Sequence, residues 1–318
     1  MRSRQHMGVR PVAAFAAMDL EAKIAALRAH PSFPQAARNM AIGLTGFYRG
    51  GPLLNWLMDD RARVVLSHVV LHCHYARDPA DPSSGLTPTR IKQLCREFDL
   101  CSPGRAAAMV SLMRFAGYLA PDPDSDDRRR RPLVATPKLL ELLRQRWRSH
   151  FTSGIPVFPD GAVLADRLDD LAFVRAFLAA MFGRYQDGFR LIMYTPGLGL
   201  FGDRSAGMMI ASTLLAAGAE DDTVPPSRPF AISISELSRR FGVSRVHVAK
   251  MLRDAVQDGL IVRAGDKGEG ITLAPALAEA LSVFYANAFI YFFDSAREAA
   301  ASLDAQDCGA GEPGRRSA

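Results

Sequence analysis

The apolar residues of this chain recur mostly at helical spacing, and this spacing predicts two long apolar helices over residues 60–76 and 204–219. Each ends in a loop rich in Pro, Asp and Ser. A short amphipathic helix follows in both places, TPTRIKQLCREF in the first and SISELSRRF in the second. After a tight turn, a second helix runs to Gly117 or Gly259, and both glycines are placed to end it.

The residues that flank these helices repeat the same start signals. Ser102 and Ser244 are good N-caps for the second helix of each pair. Beyond the glycines we predict a hairpin of two short strands, and then a helix that begins at Pro137 or Pro275. Helix, turn, helix and a two-stranded ribbon is the winged helix-turn-helix arrangement. The pattern therefore predicts a mainly α protein with small β-wings, built from two winged helix-turn-helix modules in a pseudo-two-fold arrangement.

The two predicted modules also match each other in sequence. A shift of 143 positions aligns residues 60–98 with residues 203–241 without a gap, and 11 of the 39 aligned positions are identical. A shift of 142 then pairs Met109 with Met251, and a shift of 138 pairs Pro137 with Pro275. The shift changes only where turns and loops are expected, which favours an internal duplication over chance matching in a chain rich in Ala, Leu and Arg.

Composition and charge narrow the classes of function. The formal net charge is +6, which permits a nucleic-acid partner without demanding one. Four cysteines are too few for a disulfide framework in 318 residues and fit a reducing cytoplasm. Neither a run long enough to cross a bilayer nor a signal peptide is expected. The sequence contains neither a phosphate-binding glycine loop nor a catalytic triad pattern, so we predict a non-enzyme that needs no cofactor.

The second helix of the second pair, SRVHVAKMLRDAVQDGLI, divides into an apolar face and a basic face. A helix of this kind fits the major groove of B-DNA, with its first turns towards base edges and its N-terminus towards phosphates. We predict that Arg245 and Lys250 contact bases or phosphates, that His247 and Arg253 contact the DNA backbone, and that Ser244 lies at the contact. The alternative is an ordinary solvated helix face.

The second helix of the first pair offers fewer polar groups for the same task, namely Ser102, Arg105, Ser111 and Arg114, of which we predict Ser102, Arg105 and Arg114 at the DNA. Its predicted wing, PDPDSDDRRRRPLVAT, carries four consecutive arginines, Arg128, Arg129, Arg130 and Arg131. An arginine at a hairpin tip is able to enter the narrow, strongly negative minor groove. Ordinary loop charge is the alternative for this run.

The first wing resembles that of the MarR (multiple antibiotic resistance) family of bacterial regulators, whose wing typically reads Asp-Arg-Arg before a strand that ends in Leu-Thr. Asp127, Arg128 and Arg129 match this pattern, with residues 135–136 in place of Leu-Thr. The second helix pair is similar to helix-turn-helix segments of several bacterial regulators, including those of the cyclic-AMP receptor type. The resemblance implies a cytoplasmic transcriptional regulator, often released from its operator by a small ligand. This chain departs from it in length, because family members are usually about half as long, and in its second wing, which lacks the arginine run.

We divide the chain into an N-terminal arm and helix, a first module, a linker, a second module and a disordered tail, at residues 1–30, 31–150, 151–162, 163–302 and 303–318. Two modules in one chain are able to read both halves of an operator, so we expect a monomeric pseudo-dimer or a homodimer on double-stranded DNA. A hollow between the flanking helices is the expected effector pocket. Two alternative functions remain, that of a plasmid replication initiator and that of a winged-helix scaffold that binds protein. A metal shared by His68 and His72, and a redox-sensing cysteine, are minor alternatives.

Overall fold

The computed structural model describes residues 19–49, 61–78, 80–81, 84–123, 132–189, 191, 195–265 and 270–310. In this part of the chain the protein forms thirteen α-helices together with a two-stranded and a three-stranded antiparallel sheet. The prediction of a mainly helical protein with small sheets is therefore confirmed.

The first half contains six helices and one ribbon. The elements are α1 (Leu20–Arg28), α2 (Phe33–Gly46), α3 (Arg61–Tyr75), α4 (Pro88–Glu97), α5 (Pro103–Phe115), β1 (Leu119–Pro121), β2 (Leu133–Ala135) and α6 (Pro137–Gly154). Strands β1 and β2 pair antiparallel, with Ala120 opposite Val134. A 3₁₀ turn at Phe47–Arg49 follows α2.

The second half repeats this order with one additional strand and one additional short helix. The elements are α7 (Gly161–Arg167), α8 (Leu171–Gln186), α9 (Gly199–Gly202), α10 (Gly207–Ala216), β3 (Phe230–Ala231), α11 (Ile234–Phe241), α12 (Arg245–Gln257), β4 (Ile261–Ala264), β5 (Gly270–Leu273) and α13 (Pro275–Ala310). The sheet order is β3-β5-β4, and strand β3 was not predicted from the sequence.

The predicted N-cap residues Ser102 and Ser244 cap α5 and α12 in the structure. The Ser102 hydroxyl accepts a hydrogen bond from the backbone N–H of Arg105 at 3.3 Å, and Ser244 accepts one from the N–H of His247 at 3.1 Å. These bonds satisfy one of the four backbone donors that a helix leaves open at its N-terminus. Pro103 stands at the first position of α5, where its missing N–H removes no intrahelical bond.

The core is built by helices from both halves. Helix α13 packs most extensively against α8 and also contacts α1, α2, α6 and α10. Helix α2 packs against α6 in its own half and against α10 in the other, while α8 packs against α3. Trp147, Phe177 and Phe293 are fully buried where these helices meet. Because these rings come from both halves, the hydrophobic core is shared between them.

Helix α13 is longer than the predicted second module. It continues to Ala310, through residues 303–310 that we expected in a disordered tail. Leu303 packs against the core, and Asp304 forms a 3.2 Å ion pair with Arg167. These contacts stabilise the added turns. Residues 311–318 lie outside the described part of the chain.

The other predicted boundaries remain predictions, although the predicted linker differs from expectation. In the predicted linker, residues 151–154 belong to α6, and Phe158 is buried at 4% exposure. Part of the predicted linker is therefore packed into the fold. The N-terminal helix expected within residues 1–30 is described over Leu20–Arg28, and residues 1–18 lie outside the described part.

One helix in the described residues has the length and composition to cross a membrane. It is the Pro275–Gln306 part of α13, with a mean hydropathy of 1.4 in its most apolar window. In this fold 67% of that window is buried inside the protein, as in the core helix of many soluble proteins. The sequence analysis required an uninterrupted apolar run long enough to cross a bilayer. It missed this helix because charged residues interrupt the apolar run.

Candidate nucleic-acid interface and the adjoining cavity

The turns between α4 and α5 and between α11 and α12 have the same backbone geometry. Asp99 and Gly242 occupy equivalent positions, and both adopt a left-handed conformation, with φ of 50° and 69°. The N–H of Leu100 donates to the Cys95 carbonyl at 2.9 Å, and the equivalent N–H of Val243 donates to the Ser238 carbonyl at 3.1 Å. Glycine adopts this conformation without strain, whereas aspartate is one of the few other residues that tolerate it.

The ends of the second helices match equally well. Gly117 has φ of 75° and Gly259 has φ of 67°. One residue later, the N–H groups of Tyr118 and Leu260 each donate, at 2.8 Å, to a carbonyl five residues back. Since both helices stop by the same motif, each ribbon leaves its helix in the same way.

Helix α12 has one buried and one exposed face, as its sequence predicts. Its buried side chains are Val248, Met251, Leu252 and Ala255, each at most 1% exposed. The side chains of Arg245, Lys250 and Arg253 are exposed on the other side. Val246 is 77% exposed beside them, an apolar residue that the sequence reasoning did not select. The exposed face therefore offers cations and one aliphatic group to a partner.

Two contacts join α12 to the segment that precedes α10. Arg204 forms a 2.7 Å ion pair with Asp254, and Lys250 forms a 2.9 Å ion pair with the same carboxylate. The two cations lower the pKa of Asp254, chiefly through their hydrogen bonds to it. The His247 ring donates from Nε2 to the Ser205 carbonyl at 3.0 Å. In this structure His247 is thus held by the protein itself.

Helix α5 presents a much less charged surface. Ser102, Arg105 and Arg114 are exposed, as predicted. The last residue of the helix, Phe115, is 81% exposed, and the sequence reasoning did not select it. Charge on α5 is therefore confined to its two ends.

The tips of both ribbons lie outside the described residues. The predicted arginines of the first wing fall there, namely Arg128, Arg129, Arg130 and Arg131, and so do residues 266–269 of the second ribbon. On the described part of the second ribbon, Arg263 is exposed and Val262 is 52% exposed.

A cavity of about 160 Å³ lies between the two halves. Helices α2, α3 and α6 of the first half form one side, and α8, α9, α10 and α13 of the second half form the other. Most of its lining is aromatic, aliphatic or methionine side chain. The polar residues on its wall are few: His68, Arg146, His150, Arg204 and Ser212, with the tyrosines Tyr185 and Tyr291.

His68 on this wall has both ring nitrogens occupied. Nδ1 lies 2.8 Å from the Val64 carbonyl and therefore donates to it, while Nε2 accepts from the indole N–H of Trp147 at 3.1 Å. Burial lowers the pKa of His68 to about 4; the Val64 bond opposes this shift and the charge of Arg146 adds to it. His68 is a neutral structural residue at physiological pH.

The metal and redox alternatives find little support in the described residues. The ring of His72 stacks on Phe182 with centroids 4.0 Å apart, and no group of three or more metal-binding side chains occurs in the described residues. Burial raises the pKa of the Cys73 thiol to about 11. Burial, and then the neighbouring Cys101, raise that of Cys95 to about 12. Because the thiolate is the reactive form of cysteine, both thiols are poor nucleophiles.

The sequence reasoning missed two pairs of site residues, Arg204 with Asp254, and Arg146 with His150. The first pair joins residues 50 positions apart, and no local pattern connects them. The second pair has a local signal, because a spacing of four residues places both side chains on one face of α6.

Comparison with known protein families, with curated proteins and with solved structures finds no match to this chain. The resemblance to MarR regulators remains a prediction.

Proposed function

We propose that the protein is a sequence-specific double-stranded DNA-binding transcriptional regulator, in which α12 is the principal reading helix and α5 the second. The observation that carries the proposal is the exposed face of α12. Arg245, Lys250 and Arg253 project from a helix that directly follows a left-handed turn and is anchored by a buried opposite face. A helix held in this way presents its outer side chains to a groove.

The packing of the two halves supports a pair of winged helix-turn-helix modules related by a pseudo-two-fold axis. By the sequence repeat, α3 corresponds to α10 and α6 to α13, and their order in the chain pairs α2 with α8. Helix α2 of the first half packs on α10 of the second, and α8 of the second half packs on α3 of the first. This reciprocal exchange of contacts is what a two-fold interface produces. One chain then supplies the two reading helices that other regulators obtain by dimerisation.

The charge distribution supports DNA as the partner. The chain carries a net charge of +6, and the cations of α12 lie on its outer face. Neutralising phosphates releases condensed counterions, so such a face binds duplex DNA in a salt-dependent way. Val246, in the first turn of α12, is placed to contact a thymine methyl group, as aliphatic side chains do in the major groove.

Selection of bound duplexes from a random pool tests the proposal most directly. We expect enrichment of a bipartite motif whose halves lie about one helical turn, or about 34 Å, apart. The halves should differ in sequence, because the outer faces of α5 and α12 differ. Failure to bind any duplex at low salt would refute DNA binding and favour the protein-binding scaffold, and enrichment of iterated repeats instead would favour the replication initiator.

Single substitutions on α12 sharpen the test. We expect Arg253→Met to weaken binding to all duplexes equally and to reduce the salt slope by about 1, because it removes a phosphate contact. Arg245→Met should cost about 1–3 kcal/mol against the selected motif if Arg245 contacts a base. Arg148→Met is the matched control, since this arginine lies on α6 and pairs with Asp169. Equal loss in the control would mean that net charge alone causes the effect.

Stoichiometry tests the pseudo-dimer separately. We expect one chain per bipartite site when the complex is weighed in solution and its footprint is mapped. Two chains on two identical half-sites would replace the pseudo-dimer with an ordinary homodimer and leave the DNA-binding proposal intact.

A further inference from the structure

One buried side chain on the cavity wall has polar atoms without partners. His150 is 1% exposed, and neither of its ring nitrogens has a hydrogen-bond partner among the described residues. The Phe292 ring lies against it, with centroids 4.5 Å apart, and offers no hydrogen bond. Buried polar atoms are almost always bonded in native proteins, because leaving them unbonded costs stability. His150 therefore offers one donor and one acceptor to a molecule in the cavity.

Arg146 brings a positive charge to the same part of the wall. It precedes His150 by one turn of α6 and is 7% exposed. Guanidinium stays protonated even when it is buried. Burial, and then the charge of Arg146, lower the pKa of His150 well below its usual value. A neutral imidazole next to a cation is suited to an anionic acceptor, which both groups are able to bond.

We propose that the cavity is a binding site for a small organic acid, with its carboxylate towards Arg146 and His150 and its apolar body among the aromatic and methionine side chains. The size follows from the volume of about 160 Å³. An apolar cavity of about 150 Å³ holds a benzene-sized molecule. The body of the acid is therefore a single ring or a branched chain of similar bulk.

The same cavity wall leads to the proposed reading helix. Arg204 lines the cavity and holds Asp254 of α12 at 2.7 Å. The apolar body of an acid in the cavity packs against the Arg204 side chain and so weakens its ion pair with Asp254. A released Asp254 carboxylate adds negative charge beside Lys250, on the face that would approach phosphates. Binding of the acid therefore lowers DNA affinity, and this regulatory step, unlike the site itself, rests on the proposed function.

Titration calorimetry of the full chain without DNA tests the site. The probes are benzoate, its uncharged isostere benzamide, and toluene. We expect benzoate to bind at least about ten-fold more tightly than benzamide, because a hydrogen bond to a charged group is worth about this factor or more. Toluene should bind more weakly than benzoate. Equal affinity for benzoate and benzamide, or no binding of benzoate, would overturn the proposal.

Variants on α6 locate the carboxylate. His150→Phe keeps a ring of similar shape and should remove most of the preference for benzoate over benzamide, and Arg146→Met should do the same. Arg148→Met lies on the same helix outside the cavity wall and should leave the preference unchanged. An unchanged preference in folded His150→Phe would disprove the assignment, even if Arg146→Met does not fold.

A separate measurement tests the regulation. On the selected duplex, benzoate should raise the apparent Kd of the wild-type protein, and Arg204→Met should still bind benzoate but lose this response. Benzoate binding with an unchanged DNA Kd would overturn the coupling and leave the site standing. If the protein bound no DNA at all, the proposed function would fail while the calorimetric result for the site remained valid.

Discussion

The pH dependence of stability gives a sharp test of the cavity wall through His68. The folded protein holds this imidazole neutral, with its pKa lowered to about 4 chiefly by burial. In the unfolded chain an ordinary histidine has a pKa of about 6.5. Below pH 6.5 His68 binds a proton in the unfolded chain but not in the native state. The contribution of His68 to the free energy of unfolding is therefore fully present above pH 6.5 and is lost as the pH falls towards 4. The full difference is about 3 kcal/mol, and about 2 kcal/mol of it is lost by pH 5.

His68→Gln isolates this contribution, because glutamine keeps one donor and one acceptor but does not titrate. Urea unfolding at pH 7.5 and pH 5.0, followed by circular dichroism, gives the loss of stability for each protein. We expect the loss in the wild type to exceed that in the variant by about 2 kcal/mol. The other buried histidines contribute to both proteins and cancel in this comparison. Equal losses, or an NMR titration of His68 near pH 6.5, would refute the reasoning.

Two further predictions concern packing and capping. Gly154→Ala should destabilise the protein by about 1–3 kcal/mol, because its Cβ would lie 2.6 Å from ring atoms of Phe293. Gly183→Ala is the control: a Cβ at Gly183 of α8 meets open space, so this substitution should stabilise the helix by about 0.5–1 kcal/mol. Scanning calorimetry compares the pair, and similar melting temperatures would contradict the packing of α6 on α13. Ser244→Ala should cost about 1 kcal/mol by loss of the cap and also weaken DNA binding, whereas Ser233→Ala should cost the same but spare DNA binding. Chemical denaturation and a gel shift measure both effects, and equal loss of DNA binding in the two would count against α12 as the reading helix.

Local signals in the sequence were sufficient to predict most of the order of the helices and strands. The prolines at 137 and 275 begin α6 and α13, and the serines at 102 and 244 cap α5 and α12, because each acts within one turn of its own position. The glycines at 117 and 259 end α5 and α12 for the same reason, because each ends its helix by adopting a positive φ at its own position. Strand β3 was missed because its two residues make sense only when paired with β5.

The cavity and its contacts depend on distances that the sequence does not encode locally. The partner of His68 is Trp147, 79 positions away, and the partner of Arg204 is Asp254. The predicted linker looked like a loop because of its Gly and Pro residues. Its Phe158 is nevertheless buried against Phe293 of α13, with ring centroids 4.4 Å apart. Only the tertiary fold determines which faces meet in these cases.

The repeat also explains why the two proposed reading helices differ. At the positions that face the core, α5 and α12 keep apolar residues, and all eight are at most 5% exposed: Ala106 and Val248, Met109 and Met251, Val110 and Leu252, Met113 and Ala255. Packing constrains these positions in both halves, because a change in volume there costs stability. The outer positions carry no such constraint, and Lys250 and Arg253 of α12 stand where α5 has Ala108 and Ser111. Asp254, which joins α12 to the cavity wall, stands opposite Leu112 in the repeat, so α5 carries no carboxylate at the corresponding position. The two helices therefore share a buried face, and α12 alone of the two combines charged residues in its middle turns with a contact to the cavity wall.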